Sequence, residues 1–527
     1  MMRLLCLTGM FWLGFGLSQQ ATPEDKQASL PKGYRQVGSD KADVIDKLCK
    51  ATAESGLFTG AVLVADGGKF IYRQGFGMAN REWDIPNAPN TKFRLASVSK
   101  QFCSMLVMQL TQEEKVSLDD SITRYLPYYR KDTGVRITLH HLLSHQSGIP
   151  DFTSRFDYRG TISRSSYGKD EFIREYCSGD LLHEPGTIYS YCNAGYCILG
   201  RIIEKVTGKS YERVLRERIF KPLGMKNSGY DRNQTVLDHR ASGYTYGAFS
   251  IENADYIEMD STPGAAGAIY STVEDMFLWD RALYTDQLLT RKYRDLMFTP
   301  NRDVPEVKAA GGRPQSTYGY GWQIFERKHP VTQRRTKIIN HGGAINGFRA
   351  MESRLVNDDA FVIILCNLGD RPGGGDVWNS VVRLNTALIH IVTEQPFRMP
   401  AKPRDTLDQR LYQMVQSEGV AATIEWFQSK GKKAAWGGSL VLVAEKLISD
   451  GLAAEGLQLL EYDVEMTPTK VWLIRKTAQA FLDHGATIKA RRYAEQGLEL
   501  RPDDDRLLSL REEAMRDLEF ATEGHSD

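Results

Sequence analysis

Four serines in this chain are followed three residues later by a lysine: Ser29 with Lys32, Ser97 with Lys100, Ser166 with Lys169, and Ser429 with Lys432. Residues three apart on a helix share a face, so such a lysine can lie beside the serine hydroxyl and, when neutral, take its proton. Lysine reaches that state only where burial or neighbouring cations lower its pKa. Ser97 has suitable surroundings. An extended Lys92-Phe-Arg-Leu95 precedes it, and an apolar helical run, Phe102, Met105, Leu106, Met108 and Leu110, follows. This places the serine at a strand-to-helix entry, whose free backbone N–H groups can face a developing oxyanion. The alternative is a serine cap with a solvated lysine on the first turn, and other residues must decide.

Two further groups carry chemistry. Tyr191-Cys-Asn193 is the only Tyr-x-Asn in the sequence, and it lies between a Glu184-Pro-Gly186 turn and a helical run reaching Gly200. A phenol can pass a proton between nucleophile and leaving group where cations lower its pKa, and the asparagine can donate an amide hydrogen bond to substrate. In His341-Gly342-Gly343-Ala344 the glycines would let a substrate backbone approach closely, and the N–H after them could serve as an oxyanion donor. His341 is expected to be a hydrogen-bond donor that is partly cationic near neutral pH. Each group taken alone also reads as ordinary packing or a Gly-rich turn. His140, His141 and His145 lack an HExxH arrangement. They are expected to pack beneath the site, and no metal or other cofactor is expected.

The elements that would hold these residues are legible in outline. From Gly60, two β-prone runs flank Asp66-Gly67-Gly68, a hairpin signal. Lys337 to Asn340, Phe348 to Val356 and Phe361 to Cys366 are three further strands, and Phe361-Val-Ile-Ile-Leu365 lacks polar alternation, as a strand covered on both faces would. Helix and loop dominate between the two regions. The fold class expected is α/β of the α+β kind: one antiparallel sheet built from both ends of the domain, flanked by helices, with a helical insertion between them.

In the order Ser97-Val-Ser-Lys100, Tyr191-Cys-Asn193, His341-Gly-Gly343, the chain resembles the serine β-lactamase and penicillin-binding superfamily. The resemblance is to the branch of class C β-lactamases, D-alanyl-D-alanine peptidases, D-amino-acid amidases and related esterases. Ile137 to Asp151, Pro263 to Asp275 and Tyr318-Gly-Tyr-Gly-Trp322 are similar to the same branch, and the likeness spans about Val37 to Thr393. It implies Ser97 as nucleophile, Lys100 as its proton partner, Tyr191 as second base and later acid, and Asn193 as substrate-positioning amide. His341, Gly342 and Gly343 would line the substrate, and the backbone N–H groups of Ser97 and Ala344 would form the oxyanion hole. Which of Lys100 and Tyr191 is the primary base stays open, because they titrate as a pair. Efficient class C β-lactamases usually carry lysine, then Thr-Gly, where this chain has His341-Gly-Gly. Ester, amide or D-amino-acid peptide chemistry is therefore expected ahead of efficient lactam hydrolysis. The alternative is a non-catalytic protein of this fold that binds cell-wall peptides or a protein partner.

The ends of the chain differ from this middle. Residues 1–18 read as a secretory signal peptide: a short basic start, then Leu4 to Leu17 apolar and uncharged, shorter than the about 20 residues a membrane span needs. Export to a secreted or periplasmic location is expected. The catalytic domain is placed at 37–400 and an all-α domain at 405–527. There Ala444 aligns with Ala478, Leu447 with Phe481, Asp450-Gly451 with His484-Gly485, and Pro468 with Pro502, a period of 34 residues. The period resembles tetratricopeptide repeats and makes a protein partner conceivable there. A formal charge of +1 with scattered basic residues argues against nucleic acid as partner, leaving a small-molecule or peptide substrate. Seven cysteines, thinly spread and with no paired CxxC pattern, argue against a disulfide framework and a zinc site and leave individual pairing open.

Overall fold

The computed structural model describes residues 30–155, 157–247, 249–300, 317–370, 375–400, 407–429 and 439–523. The expected signal segment lies outside them. Gly67 and Gly68 adopt φ of 56° and 71°, the left-handed pair that matches the twist of a two-residue hairpin. They join the strands Gly60–Asp66 and Lys69–Phe76. This hairpin adds to Ala360–Cys366, completing a seven-stranded antiparallel sheet. Its order continues through Phe348–Leu355, Arg335–Ile345 and Gln323–Lys328 to Thr317–Tyr318 at the edge.

One strand runs further than the sequence implies. Instead of ending at Asn340, Arg335–Ile345 continues through the glycines, with Gly342 opposite Met351 and Gly343 opposite Ala350. Glycine weakens a strand by leaving nothing to pack, but the neighbouring Phe348–Leu355 strand supplies the pairing.

Both faces of the sheet are covered. Every residue of Ala360–Cys366 is buried, and the period of two divides them. Phe361, Ile363 and Leu365 enter a core with the helices Lys100–Gln112 and Asn193–Thr207. Val362 and Ile364 pack with the helices Lys41–Glu54 and Asp376–Val392 on the other side. The sheet thereby presents a rigid edge to the helical insertion.

Beyond residue 406 the described chain is entirely helical, and its hydrophobic core, including Leu411, Leu447, Leu459, Phe481 and Leu507, is separate from those around the sheet. Two helical hairpins, Ser439–Ser449 with Ala453–Met466 and Val471–Asp483 with Thr487–Leu500, close alike. Leu452 N–H donates to Leu447 O and Ala486 N–H to Phe481 O, both at 2.8 Å. Gly451 and Gly485, 34 residues apart, both take positive φ, 86° and 72°. Leu407–Ser429 is kinked at Gly419, and its Tyr412 packs against Phe249 at 5.2 Å between ring centroids. No helix among the described residues is long and apolar enough to cross a membrane.

Candidate active site

The turn that carries Ser97 is held at its entry by a small three-stranded sheet. Leu95 N–H donates to Ile269 O at 2.8 Å, and Arg94 lies opposite Tyr270 in a short antiparallel pair. Ala96 then adopts φ of 50°, a left-handed conformation that costs an L-residue about 1–2 kcal/mol. This kink starts the 3-10 turn Ala96–Ser99 that leads into the helix Lys100–Gln112. Ser97 remains partly exposed there, while Lys100 is fully buried.

Lys100 Nζ lies 3.1 Å from Ser97 Oγ. It donates to Asn193 Oδ1 at 2.8 Å and to the Ala266 carbonyl at 2.9 Å. A neutral amine has two N–H bonds, and these acceptors occupy both. Its lone pair is then free to accept the Ser97 proton. Burial lowers the Lys100 pKa to about 8, opposed by the nearby Asp151 carboxylate. The Tyr191 ring centroid is 4.9 Å from Lys100 Nζ, and its phenol is within hydrogen-bonding reach of Ser97. Burial raises the Tyr191 pKa, and the nearby Ser97 hydroxyl offsets this only in part.

Asn193 begins the helix Asn193–Thr207. Its amide orientation is set from both ends: Oδ1 accepts from Lys100, and Nδ2 donates to Asp151 Oδ2 at 2.8 Å. One amide N–H is left to address a substrate. In the sequence Asp151 stands out only by its place in a family-like stretch. Its only signal was position at the end of Ile137–Asp151, and only the fold brings it beside Asn193.

The third motif reaches the same place from the sheet. Pairing with Gln323–Lys328 stops at Asn340, leaving His341 to Ile345 without that neighbour. A Cβ on Gly343 would stand 2.1 Å from Leu95 O, and one on Gly342 would stand 2.5 Å from the Trp378 ring. Close approach of the strand to the turn carrying Ser97 therefore requires glycine at 343, which is buried against that turn and, contrary to expectation, does not line the cleft. Ser97, Tyr191, Asn193, His341, Gly342 and Ala344 all line one cleft of about 610 Å³.

His341 differs from its expected charge state. It is 2% exposed, its Nδ1 faces the Gly342 carbonyl at 2.7 Å, and its Nε2 faces the Tyr318 hydroxyl at 2.9 Å. A carbonyl only accepts, so Nδ1 carries the proton and Nε2 accepts from Tyr318. Burial, reinforced by Lys100, pushes its pKa down to about 3. The imidazole is neutral at physiological pH, and the expectation of partial cationic character is corrected: the sequence showed the histidine but not its enclosure.

Of the histidines expected beneath the site, His141 caps the helix Leu139–Leu143 with Thr138, and His140 Nδ1 meets the Tyr320 hydroxyl at 2.7 Å. His145 is closer to the chemistry. Its ring lies against Tyr191 at 4.2 Å between centroids, and its Nδ1 accepts from Cys192 N–H at 3.1 Å. Burial holds its pKa well below the usual imidazole value, so it supports Tyr191 as a neutral ring. The described cysteines are unpaired. Cys192 is buried, whereas Cys197 is partly exposed.

The sequence profile of the family described as Beta-lactamase matches residues 44–386. Penicillin-binding protein 4* of Bacillus subtilis (strain 168) is 28% identical over 381 residues, covering 69% of this chain and 79% of the relative. The D-amino acid amidase of Ochrobactrum anthropi SV3, solved with L-phenylalanine amide, superposes with a TM-score of 0.56 and 26% identity, covering 67% of this chain and 99% of that one. A penicillin binding protein from Bacillus halodurans shares the fold, with a TM-score of 0.54 and 24% identity over 64% of this chain and 98% of its own. With an antiparallel sheet, a helical insertion and this profile match over more than half its length, the chain belongs to the beta-lactamase family, a superfamily of serine hydrolases that includes penicillin-binding proteins.

Proposed function

We propose that this protein is an exported serine hydrolase that acylates Ser97 with an ester, an amide or a D-amino-acid peptide. The observation that carries this reading is the Lys100 amine, with two acceptors for its N–H bonds and Ser97 Oγ 3.1 Å away. Ser97 Oγ attacks the substrate carbonyl carbon while its proton moves to Lys100. The oxyanion is stabilised by the N–H groups of Ser97 and Ala344. Collapse expels the leaving group, which takes a proton relayed by Tyr191, and water then cleaves the acyl-enzyme. Lys100 is the better primary base, because its pKa falls to about 8 while that of Tyr191 rises with burial.

Substrate choice follows from His341. A neutral imidazole gives the sheet edge no fixed charge with which to hold a carboxylate beside the scissile bond, as a β-lactam would present. The likeness to a D-amino acid amidase favours the same ranking. Purified protein is expected to turn over p-nitrophenyl esters or D-amino-acid amides faster than a cephalosporin, and comparable turnover of both classes would overturn the ranking.

A pH profile tests the assignment of the base. Lys100 acts when neutral, so kcat/KM is expected to rise about tenfold per unit below pH 8 and level off above it. The Asp151 carboxylate raises the Lys100 pKa against the larger effect of burial. Asp151→Asn is therefore expected to move that limb at least about one unit to lower pH. A limb that stays in place would remove Lys100 as the group it reports.

The helical region after residue 406 is proposed as an accessory module, because it has a core of its own.

A further inference from the structure

The catalytic cleft offers a substrate anion little at its sheet edge. His341 is neutral, Lys100 is enclosed, and Arg349 is engaged by Asp370 and by the carbonyls of Ile345 and Phe348. A surplus of positive charge lies in the neighbouring cavity, of about 580 Å³, which shares Asp255 and Asn346 with the cleft. A hydrogen bond of 3.1 Å from Asn346 Nδ2 to the Asp255 carbonyl forms part of the wall between them.

Arg94 and Arg240 line this cavity and share one carboxylate. Arg94 Nε donates to Asp231 Oδ2 at 2.6 Å, and Arg240 Nη1 donates to Asp231 Oδ1 at 3.0 Å. Asp231 is 1% exposed. One carboxylate balances one guanidinium, so the cluster retains a positive charge. Asp255, an acid in the cavity lining itself, is already paired with Arg164 at 2.7 Å. Among the described residues Arg94 makes no second hydrogen bond, and Arg240 adds only the Arg232 carbonyl at 3.3 Å. Guanidinium N–H groups therefore remain for a ligand, in the planar fork that suits carboxylate and phosphate. Arg94 is also three residues before Ser97 on the chain that positions the nucleophile.

We infer that this cavity is a subsite for an anionic group, a carboxylate or a phosphate, carried by the substrate on the far side of Asn346 from the scissile bond. Its place in catalysis rests on the acylation of Ser97, but its ligand binding does not.

The test separates the two. Ser97→Ala protein is titrated with inorganic phosphate and with acetate, and line broadening of each ligand is followed by NMR. Saturable broadening that Arg240→Gln removes and Arg240→Lys, which keeps the charge but not the fork, only weakens is the expected result. Response to phosphate alone, or to acetate alone, identifies which anion the subsite takes. With Ser97 intact, the ratio of kcat/KM for a p-nitrophenyl ester bearing a distal carboxylate to that for its neutral analogue is expected to fall roughly tenfold in Arg240→Gln. Absence of turnover with saturable binding would sink the acylation reading and leave the subsite standing. No saturable binding to folded protein would overturn the subsite. So would a loss that follows Arg159→Gln, at the exposed rim of the catalytic cleft, in place of Arg240→Gln.

Discussion

Replacing Ser97 by alanine is expected to abolish labelling by a fluorophosphonate or a fluorescent penicillin and to lower ester turnover by at least about 10⁴-fold, the scale lost when a hydrolase loses its nucleophile. Lys100→Met, which fills nearly the same buried volume without the amine, is expected to fall by a similar factor while the protein stays folded. The reason is geometric. The buried amine is held by Asn193 and the Ala266 carbonyl, and among the described residues Ser97 has no other side-chain base so near with a lowered pKa. Mass spectrometry of the labelled wild-type protein should place the adduct on Ser97. An adduct on another serine, or none on folded protein with either probe, would favour a binding protein that keeps the fold without the chemistry.

The second large effect is expected at Gly343. A methyl group there would sit 2.1 Å from Leu95 O and 3.2 Å from the Ala96 Cβ, both in the chain leading directly to Ser97. Backbone on each side cannot yield cheaply, since Leu95 is tied to Ile269 and Gly343 is paired opposite Ala350. Gly343→Ala should therefore push the strand away from the nucleophile turn and widen the gap between the N–H groups of Ser97 and Ala344. Loss of one oxyanion donor costs about 10²–10³ in kcat, and a loss of that order is expected with a smaller change in KM. Unchanged kcat in Gly343→Ala would show that Ala344 does not contribute to the oxyanion hole.

These two positions divide what sequence and structure each contribute. Ser97, Lys100, Tyr191 and Asn193 were legible as candidates because three motifs stand in the order of a known family; the Ser-x-x-Lys spacing alone occurs four times and singles out none. The sheet was legible too, since a hydrophobic run such as Phe361 to Leu365 and a turn such as Gly67-Gly68 follow from local propensity and burial. The expected end of a strand at Asn340 was too early, because pairing across the glycines depends on a neighbour that no local pattern names.

Charge states and distant partners were decided only by the tertiary structure. His341 reads as a partly cationic histidine until Tyr318, the Gly342 carbonyl and burial enclose it as a neutral ring. Asp151 gains its hold on Asn193, 42 residues away, and Arg94 and Arg240 come to share Asp231 across a separation of 146 residues in sequence. A sequence by itself determined which groups could react, because that is covalent chemistry. Their pKa values and contacts depend on desolvation and on distance through space, and those exist only once the chain has folded.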